Sequence, residues 1–147
     1  MESEKLDIVI DEENVHFNYR AAGILVNNEQ ILLQNTNDTD GYHGYKLIGG
    51  KVKFNESAQS AVKREFMEEL GIKIKIGKLF KVIDHSVRTE KEQWQQIMLV
   101  FIVNTEDKEL IGQQGYKWID RDQLNEIEVR PNIFTKANQR LYIQDAD

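Results

Sequence analysis

The chain has 147 residues, 40% of them hydrophobic, enough for a sizeable core and for the expectation of a single domain over residues 1–147. Its formal charge of -6 and pI near 5.2 argue against electrostatic binding to nucleic acid or an anionic membrane, since both need clustered Lys and Arg. With no cysteine, disulfides, thiolate metal sites and a cysteine nucleophile are excluded, and a reducing cytoplasm is the expected setting.

At the start of the chain, MESEKLDIVI has no positive region followed by an apolar run, and the longest apolar stretch, Ile97 to Val103, is far short of a membrane span. Residues 7 to 19 read as an edge hairpin around Asp11 to Asn14. Its apolar positions, Ile8 to Ile10 and Phe17, suit either a homodimer contact or an ordinary edge strand. Ala21 to Val26 and Ile31 to Gln34 form a second predicted hairpin, joined by the polar turn residues Asn27 to Gln30. The loop from Asn35 to Gly44, NTNDTDGYHG, superficially suggests a calcium site. With Gly41 as its sixth position, however, the first would be Thr36 and the twelfth Leu47, so the pattern fails. Tyr42, His43 and Tyr45 are candidate substrate contacts in or beside this loop, weighed against a plain exposed loop.

A helix is predicted over about 57 to 70, because Ala58, Ala61, Val62, Phe66 and Leu70 recur at intervals of 3 and 4 and make one apolar stripe. Asn55 or Ser57 can cap its start, and Gly71 followed by Ile72 can end it in the left-handed conformation. Glu65, Glu68 and Glu69 stand at i, i+3 and i+4, so they project from one side of this helix. Three like charges so close are destabilising unless cations lie between them, and all-oxygen ligands select hard ions such as Mg²⁺ or Mn²⁺. At about 100° per residue, with Glu65 at zero, the apolar stripe centres near roughly 60°, Glu68 near 300° and Glu69 near 40°. The carboxylates therefore overlap one edge of the buried stripe, where partial desolvation and fixed rotamers suit a pre-organised metal site. The plainer reading is a solvated charged face.

Beyond the helix, Ile72, Ile74 and Ile76 alternate with lysines as a half-buried strand, which Gly77 lets Lys78 to Ile83 continue. Gln96 to Asn104 reads as a buried strand, Tyr116 to Ile119 as a shorter one, Asp122 to Asn125 as a brief helical turn, and Asn132 to Tyr142 as a closing helix after Pro131. Strands around one central helix, then a terminal helix, imply an α/β (α+β) mixed sheet with helices packed on it. His16, His43 and His85 show no metal-ligand spacing, and no Ser or His constellation suggests a covalent nucleophile. Trp94 and Trp118 read as packing residues. Arg20, Arg88 and Arg130 read as phosphate ligands or, for any one of them, as ordinary ion-pair partners.

Taken whole, Gly50 to Ile72 reads GKVKFNESAQSAVKREFMEELGI: a glycine, five residues, Glu56, seven residues, then Arg64, Glu65, Phe66, Met67, Glu68, Glu69, Leu70, Gly71 and Ile72. Seven fixed residues at roughly 4 to 10% usage each make a chance match on the order of one in a million. The stretch resembles the Nudix box, with every defining position filled. FNYRAAGILV, KLIGG and YKWIDRDQLNEIEVRPNIF look like flanks common among bacterial MutT-like Nudix proteins. The resemblance implies an α/β/α sandwich with the box as loop, helix, loop, and Mg²⁺-dependent hydrolysis of a nucleoside diphosphate linked to another moiety. Carried over by position, it makes Glu68 and Glu69 the main metal ligands, with Glu65 as a further ligand or orienter of the attacking water. It also makes Arg64 the group that orients carboxylates, Glu56 the one that steadies the loop with Gly49 and Gly50, and the Gly50 carbonyl a metal ligand. Arg20 is a weaker candidate for substrate binding.

Three departures from the pattern matter. Ile48 stands where proline commonly precedes the paired glycines, which predicts a looser loop. Asn55 stands where glycine is frequent, a mild loss because Asn tolerates left-handed geometry. Many relatives add an acid after the box, whereas this chain offers Gln96, or Gln113 and Gln114, at the corresponding places. Glu90, Glu92, Glu106 and Glu109 are substitutes only if the fold brings one to the cleft. A nucleotide-binding or regulatory module that has kept the scaffold is thus the alternative to an active hydrolase.

Overall fold

The computed structural model describes residues 6–37, 43–107, 115–124 and 126–130. In chain order the strands and the α-helix among these described residues are β1 (Val9–Asp11), β2 (Val15–Asn27), β3 (Gln30–Asn37), β4 (His43–Lys46), β5 (Ile48–Lys51), α1 (Ala58–Leu70), β6 (Lys75–Arg88), β7 (Gln93–Asn104), β8 (Tyr116–Asp120) and β9 (Val129–Arg130). The strands run β6-β7-β2-β3-β4-β9, with β1 and β5 also on β2 and β8 on β3. β2 pairs in parallel with β7 from Val15↔Gln93 to Leu25↔Val103, while β5, β1 and β3 meet it antiparallel. The result is the expected α/β arrangement of a mixed sheet with the helix against it. The sandwich's second helix, predicted over Asn132 to Tyr142, falls outside the described residues.

Both sheet faces are buried, which explains why β2 reads as a continuous apolar run rather than an alternation. Ala21 and Leu25 join Val62, Phe66 and Leu70 of α1 in one cluster, while Ala22 and Ile24 join Val100, Ile119 and Leu124 in the other. Gly23, between them, faces the helix: a Cβ there would lie 2.8 Å from both Phe66 Cε1 and Val62 Cγ1. α1 and the sheet touch this closely because that position has no side chain, and Phe66, fully buried, contributes about 1.5–3 kcal/mol.

The helix follows its predicted signals. Ser57 caps it by accepting from the Ser60 N–H, and Gly71, at φ 70°, closes it by donating its N–H to the Met67 carbonyl. The first two hairpins also form, with Val9↔Asn18 and Val26↔Ile31 in register. Ile72 and Ile74 are buried as expected, but the ladder of β6 begins only at Lys75. Gly77 packs against the Ile102 carbonyl, within a stretch where the β6–β7 register is irregular. The predicted turn at Asp122 is a 3₁₀ helix over Arg121–Gln123, with Asn125 outside the described residues. Trp118 packs on the helix-side cluster. Trp94, half exposed, stacks on His16 with ring centroids 4.1 Å apart. No helix among the described residues is long and apolar enough to cross a membrane.

Candidate active site

β5 lays the box loop beside β2, with Arg20↔Lys51, Ala21↔Gly50 and Ala22↔Gly49 as partners. Gly49 is needed for contact with β2, since a Cβ there would sit 2.6 Å from Ala22 Cα. Gly50 is needed for another reason: its Cβ would fall on the Glu65 carboxylate, 2.6 Å from Cδ. The missing side chain is the seat of a box glutamate.

After β5 the chain turns through Asn55, at φ 65°, the left-handed geometry anticipated for this position. Glu56 then folds back to accept from the Lys53 N–H at 3.0 Å. Its carboxylate, only 5% exposed, receives Arg64 as a fork, Nε to Oε2 at 2.8 Å and Nη2 to Oε1 at 3.0 Å. Arg64 also donates to the Lys51 carbonyl at 3.0 Å, and its Nη1 is shared between Glu65 at 3.0 Å and Glu68 at 3.2 Å. The Glu56 bond, foremost, holds the guanidinium well above its ordinary pKa although burial opposes this, so Arg64 is a permanent cation. One side chain thus ties the loop, the helix and two of the box carboxylates together.

The three carboxylates stand beside the apolar stripe, and Glu68, furthest round the helical wheel from it, is more exposed than the other two. Glu68 is the outermost, at 57% exposure, while Glu65 and Glu69 are half-buried. Burial, first, and the neighbouring Glu65 and Glu68 push the Glu69 carboxyl up to about 7, against a hydrogen bond from the Tyr116 hydroxyl that favours the charged form. That bond, 2.7 Å to Oε1, comes from β8. Tyr116 itself is raised well above its ordinary value, by burial and then by Glu69. The donors are all hard oxygens and fit Mg²⁺ or Mn²⁺. Among the described residues no three acidic or histidine side chains are already gathered for a metal ion; Glu68 leans instead on Arg64.

A cleft of about 350 Å³ opens over this cluster, lined by Asp7, Arg20, Lys51, Lys53, Arg64, Glu65 and Glu68. Lys53 is paired with Asp7 at 3.3 Å, whereas Arg20 and Lys51 have no ion-pair partner among the described residues. Of the weaker sequence candidates, Arg20 therefore lies in the cleft. Tyr45 does not: it packs on the cluster across the sheet from the helix. Tyr42 falls outside the described residues, and only the backbone of His43 is described, in β4. Gln96 sits opposite His85 and Asn18 on β7, and Glu92 is engaged by His16 at 3.2 Å. Gln113, Gln114 and Glu109 lie outside the described residues. Sequence reasoning missed Lys51, Lys53, Asp7 and Tyr116. Lys51 is placed beside Arg20 by the β2–β5 register, and Tyr116 stands 47 residues from Glu69; neither carries a local signal of its role.

The family model for the NUDIX domain matches residues 18–139. The 8-oxo-dGTP diphosphatase of Buchnera aphidicola subsp. Schizaphis graminum is 38% identical over 83 residues, 54% of this chain and 58% of that protein's length. Among solved structures, the MutT protein from Methanosarcina mazei Go1 aligns with a TM-score of 0.63 at 20% identity, covering 93% of this chain and all of that one. A MutT NUDIX hydrolase from Burkholderia pseudomallei aligns at 0.58 and 24% identity, over 89% of this chain and 98% of its own. At these identities the structural likeness is one of fold.

Proposed function

The chain belongs to the NUDIX family, and from that premise we propose that it is a single-domain cytoplasmic pyrophosphohydrolase. Its substrate is a nucleoside diphosphate linked to another moiety, hydrolysed at the phosphoanhydride with Mg²⁺ or Mn²⁺. The observation that carries this reading is the mixed charge of one cleft. Glu65 and Glu68, box carboxylates whose oxygens suit a divalent cation, line it beside Arg20 and Lys51, two cations with no ion-pair partner among the described residues. An anionic phosphate chain needs both.

Glu65 and Glu69 would hold the ion, with Glu68 as the exposed third ligand and the Gly50 carbonyl at the loop end. A bound ion supplies charge screening, polarisation of the phosphoryl oxygen and activation of a water. Arg64 holds Glu65 and Glu68 in place, and Glu56 holds Arg64. Arg20 and Lys51 bind phosphate oxygens and orient the chain of phosphates across the carboxylates. The 8-oxo-dGTP diphosphatase relative makes an oxidised purine deoxynucleoside triphosphate the first substrate to try.

A second reading, a nucleotide-binding module with little turnover, is favoured by one observation: the described side chain from the later half of the chain that bonds the carboxylates is Tyr116, not an acid. Product release distinguishes the two, measured with 8-oxo-dGTP, ordinary nucleoside triphosphates, ADP-ribose and nucleotide sugars in Mg²⁺ or Mn²⁺, beside Glu69→Gln. Turnover on one of these classes, lost in the variant, is expected. No turnover on any, with binding retained, would establish the module.

A further inference from the structure

Tyr116 is the first residue of β8, where it pairs with Gln34 of β3; two residues on, Trp118 pairs with Leu32. Residues i and i+2 of a strand share a face, and both rings pack on the helix-side cluster. The ring is therefore held by a strand ladder behind it and a packed core beneath it. Its hydroxyl donates to Glu69 Oε1 at 2.7 Å across a sequence separation of 47. Glu69 lies in the last turn of α1, and Arg64 grips Glu56, Glu65 and Glu68 but makes no bond to it. Within the box trio, the carboxylate that Arg64 leaves alone is the one Tyr116 takes.

We propose that Tyr116 is a positioning residue for the divalent-cation site, fixing the Glu69 carboxylate from β8 as Arg64 fixes Glu65 and Glu68 from within the box. The proposal rests on the reading of Glu69 as a metal ligand. A long, flexible carboxylate loses rotamer freedom on binding an ion, and a donor that has already fixed it removes part of that cost. Outer partners of metal ligands orient them in this way, and their loss typically weakens metal affinity about 10–100-fold. A buried tyrosine hydroxyl also seeks a partner merely to be satisfied, so the test must separate the two roles.

Tyr116→Phe removes the hydroxyl and keeps the packed ring. Mn²⁺ affinity is read on the full chain from the electron paramagnetic resonance of free Mn²⁺, for the wild type, Tyr116→Phe, Glu69→Gln and the double variant. The expected result is Mn²⁺ binding weaker by about 10-fold or more in Tyr116→Phe, with the Mg²⁺ concentration for half-maximal hydrolysis rising in step and kcat changing less. In the Glu69→Gln background the same substitution should add little, because a residue that acts through Glu69 has nothing left to position. Unchanged Mn²⁺ affinity in Tyr116→Phe, or an equal loss with and without Glu69, overturns the proposal. The Mn²⁺ comparison stands without turnover, so a wild type that hydrolyses none of the nucleotides would refute the hydrolase reading and still decide the role of Tyr116.

Discussion

Arg64→Met should be among the most damaging single changes in the box, and most of its cost should vanish when Glu56 is neutralised as well. Arg64 meets a carboxylate that is 5% exposed, through two bonds of 2.8 and 3.0 Å. Removing one partner of a buried ion pair costs about 3–5 kcal/mol, because it leaves a charge without compensation. Here the lower end applies, about 3 kcal/mol, since Arg64 is itself 23% exposed and Glu56 keeps the Lys53 N–H at 3.0 Å. Glu56→Gln retains an acceptor for that N–H and removes the stranded charge, so Arg64→Met with Glu56→Gln should cost only about 1–1.5 kcal/mol. Arg64→Lys keeps the charge but not the fork and should fall between. Urea unfolding of the wild type, Arg64→Met, Glu56→Gln and the double variant at pH 7, free of divalent ions, gives the cycle, with Arg64→Lys measured beside them. An Arg64→Met cost below about 1 kcal/mol, or a double variant equal to the sum of its singles, would show that the pair is not the brace described here.

Glu69→Gln should lower turnover by orders of magnitude yet stabilise the metal-free protein at pH 8. The Glu69 carboxyl titrates near about 7 in the fold against an ordinary 4.5, so its protonated form contributes stability that is whole below pH 4.5 and lost as pH rises through 7. Discounted for its partial exposure, the effect is on the order of 1 kcal/mol, and melts of both proteins in chelator at pH 5 and 8 should show a larger decline in the wild type than in Glu69→Gln, the raised His16 being common to both. In Gly50→Ala the new methyl would displace the Glu65 carboxylate, a flexible end that moves at little cost in stability. A shift of about 1 Å at a catalytic group can cost on the order of 100-fold in rate; wild-type rates and Mn²⁺ affinity in this variant would show that Glu65 is not seated there. Gly23→Ala should destabilise by about 1–3 kcal/mol through overpacking against Phe66 and Val62, and a neutral result in urea would mean that α1 stands further from the sheet.

What the sequence disclosed, it disclosed through local periodicity. The stripe from Ala58 to Leu70, the Ser57 and Gly71 caps, and the place of the box carboxylates beside that stripe follow from helical geometry alone, which acts over one or two turns. The contacts that complete the site are non-local. Tyr116 reaches Glu69 only because β8 pairs with β3, and Arg20 meets Lys51 only because β5 pairs with β2. Neither register has a signature short enough to read along the chain. Tyr45, close to the box in sequence, is carried by its strand pairing to the cluster on the far side of the sheet from the helix.

Ile48 shows why a missing motif residue need not weaken its loop. Proline would set one backbone angle there but would offer no N–H to a ladder, whereas Ile48 pairs with Gly23 of β2 and is fully buried in the helix-side cluster. The loop that follows is then braced from its other side. Ile8 donates to the Val52 carbonyl at 3.0 Å, Phe54 donates to Leu6 at 2.7 Å, and Lys53 Nζ meets Asp7 at 3.3 Å. The looser loop expected from the sequence is therefore not what the structure contains. Rigidity that one proline supplies locally is distributed here over a buried side chain and a short run of strand-like pairing with residues 6 to 8. Gly49 and Gly50 keep their close approaches to β2 and to Glu65 under that arrangement, so the geometry that seats the box glutamate does not depend on a proline at position 48.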